Sequence, residues 1–481
     1  DAVKVQANKP VRVSTGASPS SPDAGSSERF NEGVVSGISP TDAGNIINTV
    51  STIPGGVMVG GGLSMLGANS SSNLTTLNGM AMSGGSLPRA ARVDTRVTGA
   101  TFDATRGGFS GANIDVRLGA GSRNYQNRSV FTTFDGTALQ ATDAVGRALG
   151  VTNTNWRASA GMDGEAVRNA LTYNIAVDAS RNTRIRPDLL GADPLAYELS
   201  GVAVDSVQRV RALAAQNGLP LTFGGVSSGV RRDALSAVAR LDDTRDTART
   251  HSLVLYVNES RADNEGIGAL SAPSVGSERL DRAAGAQWAL GRYSGPGFSH
   301  YRNSRLNVSS TLARTTPFND RPAVDVLVRT LADATANDAG IAALSLGGRG
   351  LDESTSQRST GEASHEEWRN FKGRRHQVKA IVWGRVDGME QQGGAMTNGR
   401  YAFASLGDFA ANRPSSYSRT LSNPDRRGES WNSAAAVSHT YNPSRFLTLL
   451  YGLPLEGNRR VTTPRRNETR ERSLGVNPGG V

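Results

Sequence analysis

The five histidines, His251, His300, His365, His376 and His439, are the side chains best suited to metal ligation or to proton transfer near neutral pH. None stands in the His-Glu-x-x-His pattern that sets two imidazoles on one helix face. His365-Glu366-Glu367 is an isolated match and reads as a solvated loop. Gly119-Ala120-Gly121-Ser122-Arg123-Asn124 opens like a dinucleotide-binding turn but carries Asn124 where the last glycine belongs. No Gly-x-Ser-x-Gly elbow sits on a clear strand-turn-helix, and no phosphate-binding P-loop occurs. The acid pairs Asp242-Asp243 and Glu366-Glu367 fall in expected loops or strand ends, with nothing to fix them for acid–base work. Cysteine is absent, which removes thiolate and disulfide chemistry. These residue types point away from an enzyme, a bound cofactor or a metal site.

The chain that would position such groups has 481 residues, 37% of them hydrophobic, and 56 glycines. That apolar content is low for a globular protein of this size, but suits strands with only one apolar face. The net charge of +10 comes almost wholly from arginine, since lysine occurs only at Lys4, Lys9, Lys372 and Lys379. The charge is interleaved with acids, as in Arg240-Leu241-Asp242-Asp243-Thr244-Arg245-Asp246, and no basic-aromatic platform appears. Nucleic acid is therefore not an expected partner.

From Arg123 onward the pattern has a period of two. Leu171, Tyr173, Ile175, Val177 and Ala179 share one face of a strand; Thr172, Asn174, Ala176, Asp178 and Ser180 share the other. Similar pieces recur at Ser129–Asp135, Trp156–Gly164, Ala234–Asp242, Ser252–Glu259, Arg305–Thr311, Gln377–Arg385 and Phe446–Leu453. Such alternation fits a membrane barrel or a soluble sandwich with one wet face. Aromatics near strand ends (Trp156, Tyr256, Trp383, Tyr451) and very uneven connections favour the barrel. Within one connection, Val204, Val207, Val210 and Leu213 predict a helix over Val202–Asn217, ended by Gly218. A second long loop is expected over Gly350–Arg375.

The N-terminal part differs. Ala43 to Pro88 holds no Asp, Glu, Lys or Arg, yet Gly, Ser and Asn interrupt it too often for a membrane helix. Short apolar runs between glycines read as strands with tight turns, and Thr41-Asp42 caps a short helix over Ala43–Val50. The result is a compact α/β unit.

In order, this region contains Ile53-Pro54-Gly55, Leu63-Ser64-Met65-Leu66-Gly67, Leu74-Thr75-Thr76-Leu77-Asn78-Gly79, Val93-Asp94-Thr95-Arg96-Val97 and Arg106-Gly107-Gly108-Phe109-Ser110-Gly111-Ala112-Asn113-Ile114-Asp115-Val116-Arg117-Leu118-Gly119. That series resembles the plug domain of a TonB-dependent outer-membrane transporter. Two departures stand out: Leu66-Gly67 replaces the family's common Arg-Gly, and Asn78-Gly79 its Asp-Gly. A second resemblance lies in Gly399-Arg400-Tyr401-Ala402-Phe403-Ala404-Ser405-Leu406-Gly407-Asp408-Phe409 and Phe446–Leu453. Both look like mid-barrel stretches of large transporters that have an upstream carboxypeptidase-regulatory-like domain.

The resemblance implies a mostly β chain: an α/β plug inside a transmembrane antiparallel barrel. It divides into an N-terminal segment and linker (1–27), a plug (28–122) and a partial barrel with long external loops (123–481). Asp1–Ala7 resembles a TonB box, with Val3 and Val5 on one face of an extended strand. Ligand-facing plug loops are implied at Met58, Gly60, Gly61 and Gly62, and at Met82, Ser83, Gly84, Gly85 and Ser86. Arg89, Arg92, Asp94, Arg96, Asp103 and Arg106 are candidates for plug–barrel salt bridges. About a dozen strands can be counted against about 22 in plugged transporters, so a fragment is expected. The implied function is TonB-driven uptake of a bulky ligand, an oligosaccharide or peptide before a siderophore. The implied partners are the inner-membrane TonB complex, outer-membrane lipid or lipopolysaccharide, and a possible surface lipoprotein. A surface scaffold or adhesin that transports nothing is the alternative, and a soluble glycan-binding sandwich a third.

Overall fold

The computed structural model describes residues 25–30, 56–59, 62–65, 73–82, 87–101, 112–139, 150, 152–185, 188–222, 229–246, 248–295, 299–330, 340–371, 375–421, 425–444 and 446–461. The chain is mostly β, with a small N-terminal sheet lying against one large antiparallel wall.

The small unit contains β1 (Gly25–Phe30), β2 (Gly56–Val59), β3 (Gly62–Met65), β4 (Leu74–Leu77), β5 (Met80–Ala81), β6 (Val93–Thr101) and β7 (Asn113–Leu118). Five of them form a sheet in the order β1-β6-β7-β4-β5, while β2 and β3 make a separate hairpin. Strand β7 shows why it is central: Ile114, Val116 and Leu118 alternate into the core, leaving Asp115 and Arg117 on the other face. Asn78 and Gly79 turn β4 into β5 with φ of 53° and 85°. Positive φ at both turn residues matches the strand twist of a two-residue hairpin, which selects Asn-Gly. Because β1 pairs with β6, this sheet reaches back to Gly25, ahead of the expected boundary at Glu28. The helix expected over Ala43–Val50 lies outside the described residues.

The wall begins with β8 (Asn127–Asp135), β9 (Thr152–Val167), β10 (Leu171–Ile185), β11 (Gly229–Asp243), β12 (Arg249–Glu265), β13 (Ser277–Ser294) and β14 (His300–Pro317). After β15 (Ala323–Arg329) and β16 (Ile341–Gly347), which belong to a loop, it continues with β17 (Ser354–Phe371) and β18 (His376–Gly393). β19 (Arg400–Phe403) and β20 (Ser416–Ser418) again belong to a loop, and β21 (Arg426–Ser444) and β22 (Leu447–Arg460) end the wall. Neighbours in the wall are neighbours in sequence, from β8 at one edge to β22 at the other, and the sheet does not close. β8 has 9 residues and the other strands of the wall 14–19. One end carries the short turns 168–170, 244–248, 295–299, 372–375 and 445–446. The other carries the connections 136–151, 186–228, 266–276, 318–353 and 394–425.

The two faces of the wall differ. In β12, Val254 and Tyr256 are buried against the small sheet while Leu255 and Val257 are exposed on the opposite face. Leu77, Ile114, Val116 and Leu118 of the small sheet form one core with Ala176, Val238, Val254 and Tyr256 of the wall. The outer face shows Trp288, Leu306, Val308, Val382 and Leu453.

Two expectations change here. Gly350–Arg375 is not a loop, because most of it is β17, paired along its length with β14 and β18. Its outward residues are Gln357, Ser359, Gly361, Ala363, His365, Glu367 and Arg369, so no apolar alternation reveals it. Strands β13 and β21 also lie outside the expected strand segments, since charged residues near the start of each interrupt the alternation.

Candidate functional site

Three places combine polar chemistry with enclosure: the seam between small sheet and wall, a pocket beside it, and the layer of long connections. The seam centres on Asp163 in β9, 2% exposed. Its carboxylate accepts from Arg92 Nη1 at 3.0 Å, from the Ser122 backbone N–H at 3.2 Å and from Asn127 Nδ2 at 3.1 Å. A buried carboxylate that accepts hydrogen bonds on both oxygens and pairs with a guanidinium is stable where an unpaired one would not be. Beside it the Ala90 N–H donates to Ser159 Oγ at 3.0 Å, and Asn174 Nδ2 donates to the Gly119 carbonyl at 2.8 Å. Arg240, held by Asp242 at 2.9 Å, donates to the Leu118 carbonyl, and Gln287 donates to the Asn78 carbonyl at 2.8 Å. The seam admits no bulk: a Cβ at Gly161 would stand 2.5 Å from the Ala90 carbonyl oxygen.

The pocket, about 250 Å³, lies between the Asn78-Gly79 turn with Asp115 and Arg117 on one side, and Arg240, Ser252, Gln287, Tyr301, Asn303 and Arg305 of the wall on the other. Asp115 accepts from Thr76 Oγ1 at 2.9 Å, from the Gly79 N–H at 3.1 Å and from Arg117 Nε at 2.8 Å. Guanidinium, amide and phenol groups around one carboxylate suit a hydrated polar solute. Tyr301, in its lining, packs its ring against those of Tyr293 and Trp368.

The long connections fold into a cap. α1 (Pro194–Leu199) and α2 (Val204–Gln216) come from 186–228, and α3 (Leu406–Ala410) from 394–425. Strands β16-β15-β19-β20 form its sheet, with the β15–β19 pair parallel. Val207, Val210 and Ala214 of α2, at helical spacing, pack with Val326, Leu344, Leu346, Phe403 and Phe409 in a core separate from that of the small sheet. α2 lies within the helix predicted from spacing. Burial pushes the Tyr197 phenol up, and its hydroxyl donates to the Leu189 carbonyl at 2.9 Å. At the cap's base Arg314, 2.6 Å from Glu353, holds that carboxyl below the ordinary range.

Of the sequence candidates, Arg92 lies in the seam, and the Arg89 guanidinium sits 4.8 Å above the Phe131 ring of β8. Asp94 and Arg96 lie in β6, opposite Arg117 and Asp115 of β7. Met58 is exposed in the β2–β3 hairpin, and Gly62 begins β3. Met82, two residues after the buried Met80 of β5, is packed into the small core. Val3, Val5, Gly60, Gly61, Ser83, Gly84, Gly85, Ser86, Asp103 and Arg106 lie outside the described residues. His365-Glu366-Glu367 is split by strand alternation: His365 meets Ser304 outside, while Glu366 meets Lys379 at 3.3 Å inside. Among the described residues no three His, Asp or Glu converge as a metal site. The wall's contributors, Asp163, Ser159, Asn174 and Gln287, were missed. Their one signal is polarity on alternate positions of long strands.

The chain matches no family model and no curated protein. Among solved structures it is similar to the outer membrane transporter YddB from Escherichia coli, at TM-score 0.60 and 11% identity, over 90% of this chain and 56% of that one. The siderophore receptor PirA from Acinetobacter baumannii aligns at TM-score 0.56 and 12% identity, over 91% and 57%. The ferric enterobactin receptor from Pseudomonas aeruginosa aligns at 0.53 and 10%, over 91% and 58%. The chain thus spans just over half the length of these proteins, and shares with them the fold of a small domain set against the inner face of a barrel wall.

Proposed function

We propose that this chain supplies the plug and barrel wall of a TonB-dependent transporter in the outer membrane of a Gram-negative-type bacterium. The observation that carries the proposal is the seam: a small domain lies against the lumenal face of the wall through a shared apolar core flanked by polar contacts between side chains of the wall and backbone or side chains of the small domain. Uptake requires such a plug to shift without unfolding the wall. The short turns then face the periplasm, the capped connections face outward, and the inner-membrane TonB complex pulls on the segment around Val3 and Val5. The polar pocket and folded cap favour a bulky hydrophilic ligand, an oligosaccharide or peptide, over a small ion. A siderophore, named for one of the similar structures, and ferric enterobactin, named for another, come next. Lipopolysaccharide surrounds the outer half of the wall, and a surface lipoprotein is a candidate partner for the cap.

The test is growth of a strain that relies on this protein, on maltodextrins, on a peptide hydrolysate or on ferric enterobactin. Deleting Asp1–Ala7 is expected to stop growth on one of these sources while surface binding of that source persists. Growth unaffected by the deletion would favour the non-transporting scaffold.

A further inference from the structure

All five histidines of the chain fall on the outward face of the wall, toward its short-turn end. The registers define three outward rows there. Arg249, Arg292, Arg302 and Glu367 stand side by side on β12, β13, β14 and β17. Two residues further along each strand, about 7 Å, come His251, Leu290, Ser304 and His365. Two residues beyond that stand Leu253, Trp288, Leu306 and Ala363, with Trp288 and Leu306 about half exposed. Polarity thus grades from cationic to apolar over roughly 13 Å of strand.

The cationic row is unusual for a sheet. Like charges directly opposite one another on paired strands repel, yet Arg249 faces Arg292 and Arg292 faces Arg302. Nearby carboxylates are few and engaged. Glu367 serves His300 at 2.6 Å, Arg369 at 2.9 Å and Arg302 at 3.7 Å together. Asp243 is taken by Arg245, and Asp246 is 3.9 Å from Arg249. Among the described residues no carboxylate comes within ion-pairing distance of Arg292. The opposite end of the same face is arranged otherwise. There Arg181, Asp233, Arg231, Asp263, Arg261 and Glu278 form an unbroken chain of alternating charge.

We infer that the Arg249–Arg292–Arg302 row binds the phosphate of an anionic phospholipid in the inner leaflet, with its acyl chains lying along Trp288 and Leu306. This rests on the reading of the chain as a membrane barrel. A headgroup phosphate set between the guanidiniums removes their mutual repulsion and accepts bidentate hydrogen bonds. The apolar row stands where the acyl chains begin. Interfacial His376, His439, Tyr441 and Tyr451 continue the same level on β18, β21 and β22.

The experiment is native mass spectrometry of the protein from detergent micelles doped with phosphatidylglycerol or phosphatidylcholine. The wild type is expected to retain phosphatidylglycerol preferentially. The Arg292→Gln/Arg302→Gln variant should lose about 25-fold in retention, about fivefold per charge removed. Arg292→Lys/Arg302→Lys, which keeps the charge but loses the bidentate geometry, should fall between the wild type and the glutamine variant, whereas Arg261→Gln/Arg282→Gln at the other end of the face should retain lipid as the wild type does. Equal retention by the glutamine variant, equal retention of the two lipids, or displacement of lipid by millimolar inorganic phosphate would overturn the inference. A chain that does not enter micelles at all would overturn both this inference and the transporter reading. A micelle-embedded barrel indifferent to these arginines defeats this inference alone.

Discussion

Arg92 and Asp163 meet at 3.0 Å across the seam, one from the small domain and one from the wall, with the carboxylate 2% exposed and the guanidinium partly in water. A buried acid with a half-wet partner makes a contact that is stable at rest yet separable. Replacing Asp163 by Ala removes the acceptor for Arg92, for the Ser122 N–H and for Asn127 together. The expected cost is about 1–3 kcal/mol in the docking of the small domain. Limited proteolysis checks it: the small domain should become cleavable while the wall keeps its resistance. In a double-mutant cycle with Arg92→Gln, the two losses should not add.

Close approach at Gly161 makes a second prediction. A methyl group there runs into the Ala90 carbonyl, so Gly161→Ala should loosen docking by about 1–3 kcal/mol. Gly384, whose added Cβ would meet only open space, accepts Ala without such a loss. The same protease assay separates the two; equal effects would place Ala90 elsewhere.

The cap has its own core, so damage to it should stay local. Leu344, fully buried among Val326, Leu346 and Phe403, is expected to cost about 2–5 kcal/mol as Leu344→Ala. Hydrogen exchange should rise in 188–222, 323–347 and 400–418, while β6 and β7 remain protected. Exchange rising equally in both regions would join the two cores.

Glu353 gives the pH dependence. Its carboxyl is held low by Arg314, so the contact's contribution is present above the ordinary glutamate range and is lost as pH falls through and below it. The base of the cap should therefore open in acid. Glu353→Gln should remove that pH dependence from cap exchange, the other carboxylates being unchanged.

Alternation in β10 revealed the wall because its outward Ile175 and Val177 are apolar and its inward Thr172, Asn174 and Asp178 polar. The same rule hid β17, whose outward positions are small or charged, and only its pairing with β14 and β18 makes it a strand. The α2 helix was legible because Val204, Val207, Val210 and Leu213 recur at helical spacing, and all four pack into the cap core. Arg92 was legible as a charge in a plug-like stretch. Asp163 was not, because a polar residue on an alternate position looks the same whether it meets water or Arg92. The burial of Met82 was not legible for a related reason: glycines around a methionine suggest a loop and say nothing of burial.

The central claim is that the small domain must move against the wall for uptake. The chain lacks cysteine, so Arg92→Cys and Asp163→Cys can be joined by a short bis-maleimide across the seam without side reactions. Uptake is followed for whichever growth source depends on the protein. Uptake is expected with the uncrosslinked pair and to stop once the bridge forms, with surface binding of the ligand unchanged. Uptake that continues at the same rate through a fully bridged seam would contradict the account.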